Sequence, residues 1–198
     1  MTELLAGPSD TAIYQPGEPF TAPELAVLRA EGALRIVLPG AYVCAARPDT
    51  AEVRTAAVAS FLGPRLREAA VIGRLTAAWV HGCHPLPAEL ELLVARFHRL
   101  PLRRGDLGIS LHECVLGDDD VLRIGRMQVT TPVRTALDVA FHAPPGPARR
   151  VLARMLGTGR IACNREELVA AIEATGRRPG KRAALDLVHG LPHLAAVP

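Results

Sequence analysis

Apolar residues run along this chain in short blocks, each soon closed by glycine or proline, and the period within a block alternates between helical and extended. Thr21 followed by Glu24 is a capping-box pattern, and it predicts a helix over 22–31 that Gly32 stops. Ala33–Leu38 and Ala41–Val43 read as two short strands joined through Pro39-Gly40. After Pro48-Asp49-Thr50, the spacing of Val53, Ala56, Ala57 and Phe61 predicts a second helix ending at Gly63-Pro64. A strand over Ala69–Ile72, a helix over Leu75–His81 and a buried strand over Leu90–Val94 follow. Strands are predicted at Ile109–Leu116, Val121–Ile124 and Met127–Thr130, and the tight turns between them favour an antiparallel hairpin or meander.

The remainder reads as helical. Thr131-Pro132 is a cap with proline at the first helical position, leading into Val133–Phe141. Helices over Ala148–Leu156, from Asn164 and Glu167 to Ala174, and over Lys181–Val188 complete the pattern. The fold class is α+β, a mainly antiparallel sheet with packed helices and a helical C-terminal part. The helix followed by a hairpin is how a winged helix-turn-helix ends. The chain therefore divides into an extended arm (1–19), a truncated winged-helix-like module (20–47) and an α/β domain (48–198).

Composition narrows this picture. The 198 residues are 49% hydrophobic but only 4% aromatic, so the core is built from Ala, Leu and Val. The 22 arginines against one lysine, with 32 alanines, look like high-GC coding bias, and arginine abundance alone says little about function. A net charge of +3 excludes both a strongly basic nucleic-acid coat and an acidic, disordered chain. Cys44, Cys83, Cys114 and Cys163 form no CxxC pair, which argues against a disulfide framework or a zinc ribbon. No run of 18 apolar residues occurs, and Glu3, Asp10 and Glu18 interrupt the N-terminal region. The expectation is a cytoplasmic protein with no membrane partner.

Several segments could carry chemistry. His81, Cys83 and His84 surround the end of one helix beside the only tryptophan, Trp79. Their spacing is unusual for structural zinc, and a small-residue helix with His81 capping its carbonyl end accounts for them. Arg134 and Asp138 are four apart on one helix and can pair. Glu89 and Glu91 share one strand face. Nucleotidyltransferases carry two such acids after a Gly-Ser turn, but here Arg74 follows Gly73 and the acids are glutamates. Asp118-Asp119-Asp120 reads as a polar hairpin tip.

Charge placement says more than charge total. Residues 1–47 sum to −2, whereas 145–182 sum to +6, and Arg96, Arg99, Arg103 and Arg104 form a second basic loop. Such patches attract phosphates, and they also solvate amphipathic helices.

The order and spacing of the Phe20-Thr21 start, the Gly32–Val43 hairpin, Ala77-Ala-Trp-Val-His-Gly82, Thr131-Pro-Val-Arg-Thr-Ala-Leu-Asp138, Leu152-Ala-Arg-Met-Leu-Gly157 and Arg177–Leu187 resemble the actinobacterial branch of the AbiEi-type antitoxins. These belong to type IV toxin–antitoxin systems of abortive infection. The resemblance spans roughly 20–190. It implies a winged-helix N-terminal domain, an α/β C-terminal domain, operon autoregulation through DNA binding, neutralisation of a nucleotidyltransferase toxin, and no cofactor or metal. The endonuclease-like extension of some relatives is expected to be absent.

One departure matters: a single helix precedes the hairpin where the family has two or three. Thr21, Ala22, Pro23 and Glu24 offer little to base edges. The candidate DNA-binding residues are therefore Arg29 and Arg35 near the wing, with Arg149, Arg150, Arg154, Arg177, Arg178, Lys181 and Arg182. All would contact phosphate rather than bases. Three expectations follow. The first is a non-enzymatic DNA-binding regulator, with or without a toxin partner. The second is a protein-interaction module that has lost DNA binding. The third is a diverged nucleotidyltransferase-like enzyme centred on Glu89 and Glu91.

Overall fold

The structure is a computed structural model, and it describes residues 12–17, 19–95, 103–104, 107–157, 161 and 163–192. The chain opens with α1 (Ala22–Ala30), capped by Thr21 and Glu24 in the reciprocal pattern the sequence announces. Strands β1 (Leu34–Leu38) and β2 (Ala41–Cys44) pair antiparallel as the expected hairpin. The described part of the arm is not detached. Tyr14 exchanges two backbone hydrogen bonds of 2.9 Å with Tyr42, adding a bridge to the edge of β2.

Helix α2 (Ala51–Phe61) buries Val53 and Ala57 of the expected face together with Thr55, Val58 and Ala59, while Ala56 and Phe61 are half-buried. A short helix, α3 (Pro64–Ala69), then occupies residues read from sequence as a stop and the start of a strand. Pro64 sits at the first helical position, where its missing N–H costs nothing, so Gly63-Pro64 starts this helix as well as ending α2. The strand that follows is only β3 (Val71–Ile72). Helix α4 (Arg74–Val80) leads to β4 (Glu89–Val94). Next come β5 (Arg103–Arg104), in a segment read as loop, and β6 (Leu107–Glu113), which ends before the predicted Leu116. A single 3-10 turn over Asp118–Asp120 precedes β7 (Val121–Ile124) and β8 (Met127–Thr130), whose hairpin matches expectation.

The six strands order as β5-β6-β4-β3-β8-β7. Three of the five pairings are antiparallel, and β4–β6 and β3–β8 are parallel, so the sheet is mixed. Helices α5 (Pro132–His142), α6 (Pro145–Gly157), α7 (Arg165–Ala174) and α8 (Lys181–His189) complete the α+β fold.

Two buried clusters hold it together. The first joins Val37, Leu38 and Val43 of the hairpin to α2 and to Ile72, Leu90, Leu92, Met127 and Val129 of the sheet. The winged-helix-like segment thus shares its core with the sheet that follows it. The second cluster packs Ala136, Val139, Leu152, Met155, Leu168, Ile172 and Val188 between α5, α6, α7 and α8. Helix α4 belongs to both: Ala77, Trp79 and Val80 fall in the first cluster and Ala78 in the second. No described helix is long and apolar enough to cross a membrane.

Candidate functional site

Along β4, side chains alternate between faces, so Leu90, Leu92 and Val94 enter the first core while Glu89, Glu91 and Leu93 face the other way. The parallel register places Gly108, Ser110 and His112 of β6 beside them. This second face is where polar groups gather.

Gly73 brings the chain onto this face at close quarters. A Cβ there would lie 2.5 Å from Leu93 Cγ, so the backbone approach requires glycine. Arg74 follows with φ of 51°, the left-handed conformation that costs a non-glycine residue about 1–2 kcal/mol. Its side chain is nonetheless well engaged. A guanidinium nitrogen lies 3.6 Å from Glu91 Oε1 and 3.1 Å from His112 Nε2. The other Glu91 oxygen accepts from the Leu75 backbone N–H at 3.0 Å, and Thr76 accepts from the Glu91 N–H. Burial pushes the Glu91 carboxyl up, opposed by the Leu75 hydrogen bond and by Arg74. Glu89 Oε2 accepts from the Ser110 hydroxyl at 2.6 Å. The two glutamates thus share a face, as the sequence indicates, and both are used by neighbours within the chain.

A second group of polar side chains comes from α5. Arg134 donates to Asp138 Oδ1 at 3.0 Å, the pair expected from the sequence, and also to Asp120 Oδ2 at 2.7 Å and Cys114 Sγ at 2.9 Å. The Asp118–Asp120 turn, read as a polar tip, therefore sends one carboxylate inward to fasten α5. At the far end of α5, the Arg178 guanidinium lies 4.3 Å from the Phe141 ring centroid and 2.9 Å from His142 Nε2. The His142 imidazole is held down to about 4, by burial first and then by Arg74, Arg178, His112 and Arg134. Burial and Arg74 likewise lower His112.

His81 departs from its expected role. Its backbone N–H, not its ring, closes the end of α4, and Nε2 donates to the Thr130 carbonyl of β8 at 2.8 Å. Burial keeps this imidazole neutral, which is the form that carries one donor and suits a carbonyl partner. Cys83 is buried in the helical core, and His84 turns to the Pro85 carbonyl. Among the described residues, no three His, Cys, Asp or Glu side chains converge as metal ligands would.

The candidate phosphate contacts fall into two groups. Arg35 bonds the Arg47 carbonyl and approaches Asp49 at 4.0 Å, and Arg149 donates to the Gly190 carbonyl at the end of α8. Lys181 reaches the Glu173 and Gly176 carbonyls, and Arg178 is engaged as above. Arg29, Arg150, Arg154, Arg177 and Arg182 are exposed and make no ion pair among the described residues. Arg96 and Arg99 lie outside the described residues, and Arg103 and Arg104 belong to edge strand β5. Sequence reading did not find the Arg178–His142 contact, because its members lie 36 residues apart. Nor did it give Arg74 a partner, although Glu91 and His112 both lie close to it.

No protein-family model and no curated protein matches the chain. Among solved structures it is similar to the Rv2827c protein from Mycobacterium tuberculosis, at 15% identity and a TM-score of 0.43. That alignment covers 85% of this chain and 65% of the other.

Proposed function

We propose that this protein is a non-enzymatic, cytoplasmic regulator that holds DNA through its phosphates, in the manner of the AbiEi-type antitoxins it resembles, with its helical half towards the DNA. The supporting observation is the contrast between two populations of arginine. On β1, α2, α4 and α5, Arg35, Arg54, Arg74 and Arg134 are each answered by a carboxylate of Asp49, Glu91, Asp120 or Asp138. On α6, the α7–α8 turn and α8, Arg150, Arg154, Arg177 and Arg182 are exposed with no acid partner among the described residues. Unanswered surface cations release condensed counterions when they meet a phosphate backbone. A mobility-shift titration on the DNA upstream of the gene, at two salt concentrations, tests this. Replacing all four arginines by alanine is expected to weaken binding across sequences and flatten the salt slope by up to about 4. No shift at low salt overturns the DNA reading.

The exposed side of α1 favours a second partner. It presents Ala22, Pro23, Ala26, Val27 and Ala30, with Val27 55% exposed and Ile36 of β1 41% exposed. That composition suits a protein contact better than base edges. Co-purification with a neighbouring toxin, abolished by Val27→Asp, is the expected result if α1 carries that contact. Against an enzyme stands the internal use of both glutamates: Glu91 is held by Leu75 and Arg74, and Glu89 by Ser110. A nucleotidyl-transfer activity lost in Glu91→Ala would reverse that reading.

A further inference from the structure

One face of the sheet carries an unbroken row of side chains across four strands. Leu93 of β4 pairs with Val71 of β3, Val71 with Gln128 of β8, and Gln128 with Arg123 of β7. Residues paired directly across neighbouring strands point to the same side, so the row runs from hydrocarbon through an amide to a guanidinium. Three strand spacings give it a length of roughly 14 Å. All four residues line one hollow of about 440 Å³, walled further by Ala69 at the end of α3 and by Leu116.

A second hollow, of about 270 Å³, adjoins the first, because Arg123 and Gln128 line both. Arg67 of α3 and Arg126 of the β7–β8 turn stand in its wall. Arg67 commits one terminal nitrogen to the Leu62 carbonyl at 3.0 Å, and its buried Nε has no hydrogen-bond partner among the described residues. Arg123 is exposed and makes no ion pair among the described residues. Three arginines against Glu68 and Asp118, the acids of the two walls, leave one net positive charge.

We infer that this groove binds an apolar monocarboxylate of the medium-chain fatty acid kind. The carboxylate lies between Arg123 and Gln128, where a planar guanidinium fork and an amide N–H both donate to it. Arg67 and Arg126 add attraction from the second hollow. The hydrocarbon chain follows the row over Val71 to Leu93, and its burial supplies the affinity that a single exposed ion pair lacks. Net charge and wall chemistry separate this ligand from a nucleotide. One positive charge suits one carboxylate better than a phosphate dianion, and a sugar would meet hydrocarbon where its hydroxyls need partners. None of the arginines assigned to DNA lines either hollow, so this site and that reading are independent.

Isothermal calorimetry on the full chain, with octanoate, butyrate, octanol and AMP as probes, tests the site. Octanoate is expected to bind saturably and at least about tenfold tighter than butyrate, because its longer chain removes more methylenes from water. Octanol, which lacks the carboxylate, is expected to bind about tenfold more weakly than octanoate. Arg123→Ala is expected to weaken octanoate about tenfold and leave octanol unchanged, which marks the guanidinium as a head-group contact rather than a support for the fold. Ala69→Trp, at an exposed position, fills the hollow and is expected to weaken both. Should circular dichroism show it unfolded, Ala69→Leu replaces it. Arg65→Ala removes a charge from α3 outside both walls and is expected to change neither. No saturable heat with millimolar octanoate overturns the proposal. So does equal affinity for octanol, tighter binding of AMP, retained octanoate affinity in Arg123→Ala, or equal loss in Arg65→Ala. The DNA mobility shift is read separately, so either reading can fail alone.

Discussion

Arg134 and Asp138 stand one turn apart on α5, joined at 3.0 Å through Nε and Oδ1, while the second carboxylate oxygen of Asp138 is buried with no hydrogen-bond partner among the described residues. The same guanidinium reaches Cys114 and Asp120, so one side chain ties α5 to both ends of the segment that joins β6 to β7. Burial pushes the Asp138 carboxyl above its ordinary range, and Arg134 opposes it.

Asp138→Ala is expected to destabilise the protein by about 3 kcal/mol, since it leaves a half-buried guanidinium with Asp120 as its one carboxylate among the described residues. Asp138→Asn keeps the acceptor for Arg134 and is expected to cost about 1 kcal/mol. The raised carboxyl sets the sign with pH. The unfolded chain gives up this proton first, so wild-type stability from Asp138 falls as pH rises from the unfolded value through the folded one. Urea unfolding should therefore show Asp138→Asn closer to wild type at pH 7 than at pH 4.

Gly73 and Arg74 make opposite predictions at adjacent positions. Gly73→Ala drives a methyl against Leu93 and should cost about 1–3 kcal/mol. Arg74→Gly and Arg74→Ala both lose the Glu91 contact, but only glycine relieves the left-handed backbone. Glycine should be more stable than alanine there by about 1 kcal/mol, the reverse of their order in a helix interior. Thermal melts of the three variants decide this.

His81, His112 and His142 are all held below the ordinary histidine value, chiefly by burial. The unfolded chain therefore takes up protons before the folded one as pH falls. Their contribution to stability is full above about 6.5 and declines below it, for His142 down to about 4. Urea midpoints measured from pH 7.5 to 5 should drop, and His81→Gln should flatten part of that slope. A slope unchanged in His81→Gln would show that its ring is not held neutral by burial.

Asn164 caps α7 by accepting from the Glu167 N–H at 2.7 Å, and Glu167 returns a bond to the Asn164 N–H. Asn164 is exposed, so Asn164→Ala removes the cap without opening a cavity. A loss of about 1 kcal/mol is expected, and most of it should be recovered by Asn164→Ser.

Local chemistry was readable where one residue acts on a near neighbour. Thr21 with Glu24 and Asn164 with Glu167 cap the helices they were expected to cap, and the β7–β8 hairpin turns where glycine allows. Arg134 and Asp138 pair because helical spacing alone brings them together. Reading failed where a residue answers to something distant. His81 was expected to serve its own helix, but β8 offers a carbonyl to its ring and burial keeps that ring neutral. Residues 64–69 form a helix because proline at the first turn permits one as readily as it ends the last.

The sequence by itself determined the α+β class, most of the elements and the segregation of charge, because periodicity, capping and composition act within a few residues. Tertiary structure decided which arginines are answered and which are not. Arg74, Arg134 and Arg178 look alike as letters. Yet one sits in a left-handed backbone beside a glutamate and a histidine, one bridges two aspartates, and one meets an aromatic face and an imidazole. A side chain's charge is fixed by its chemistry. What that charge can bind depends on partners brought from elsewhere in the chain, and only the folded sheet and its helices bring them.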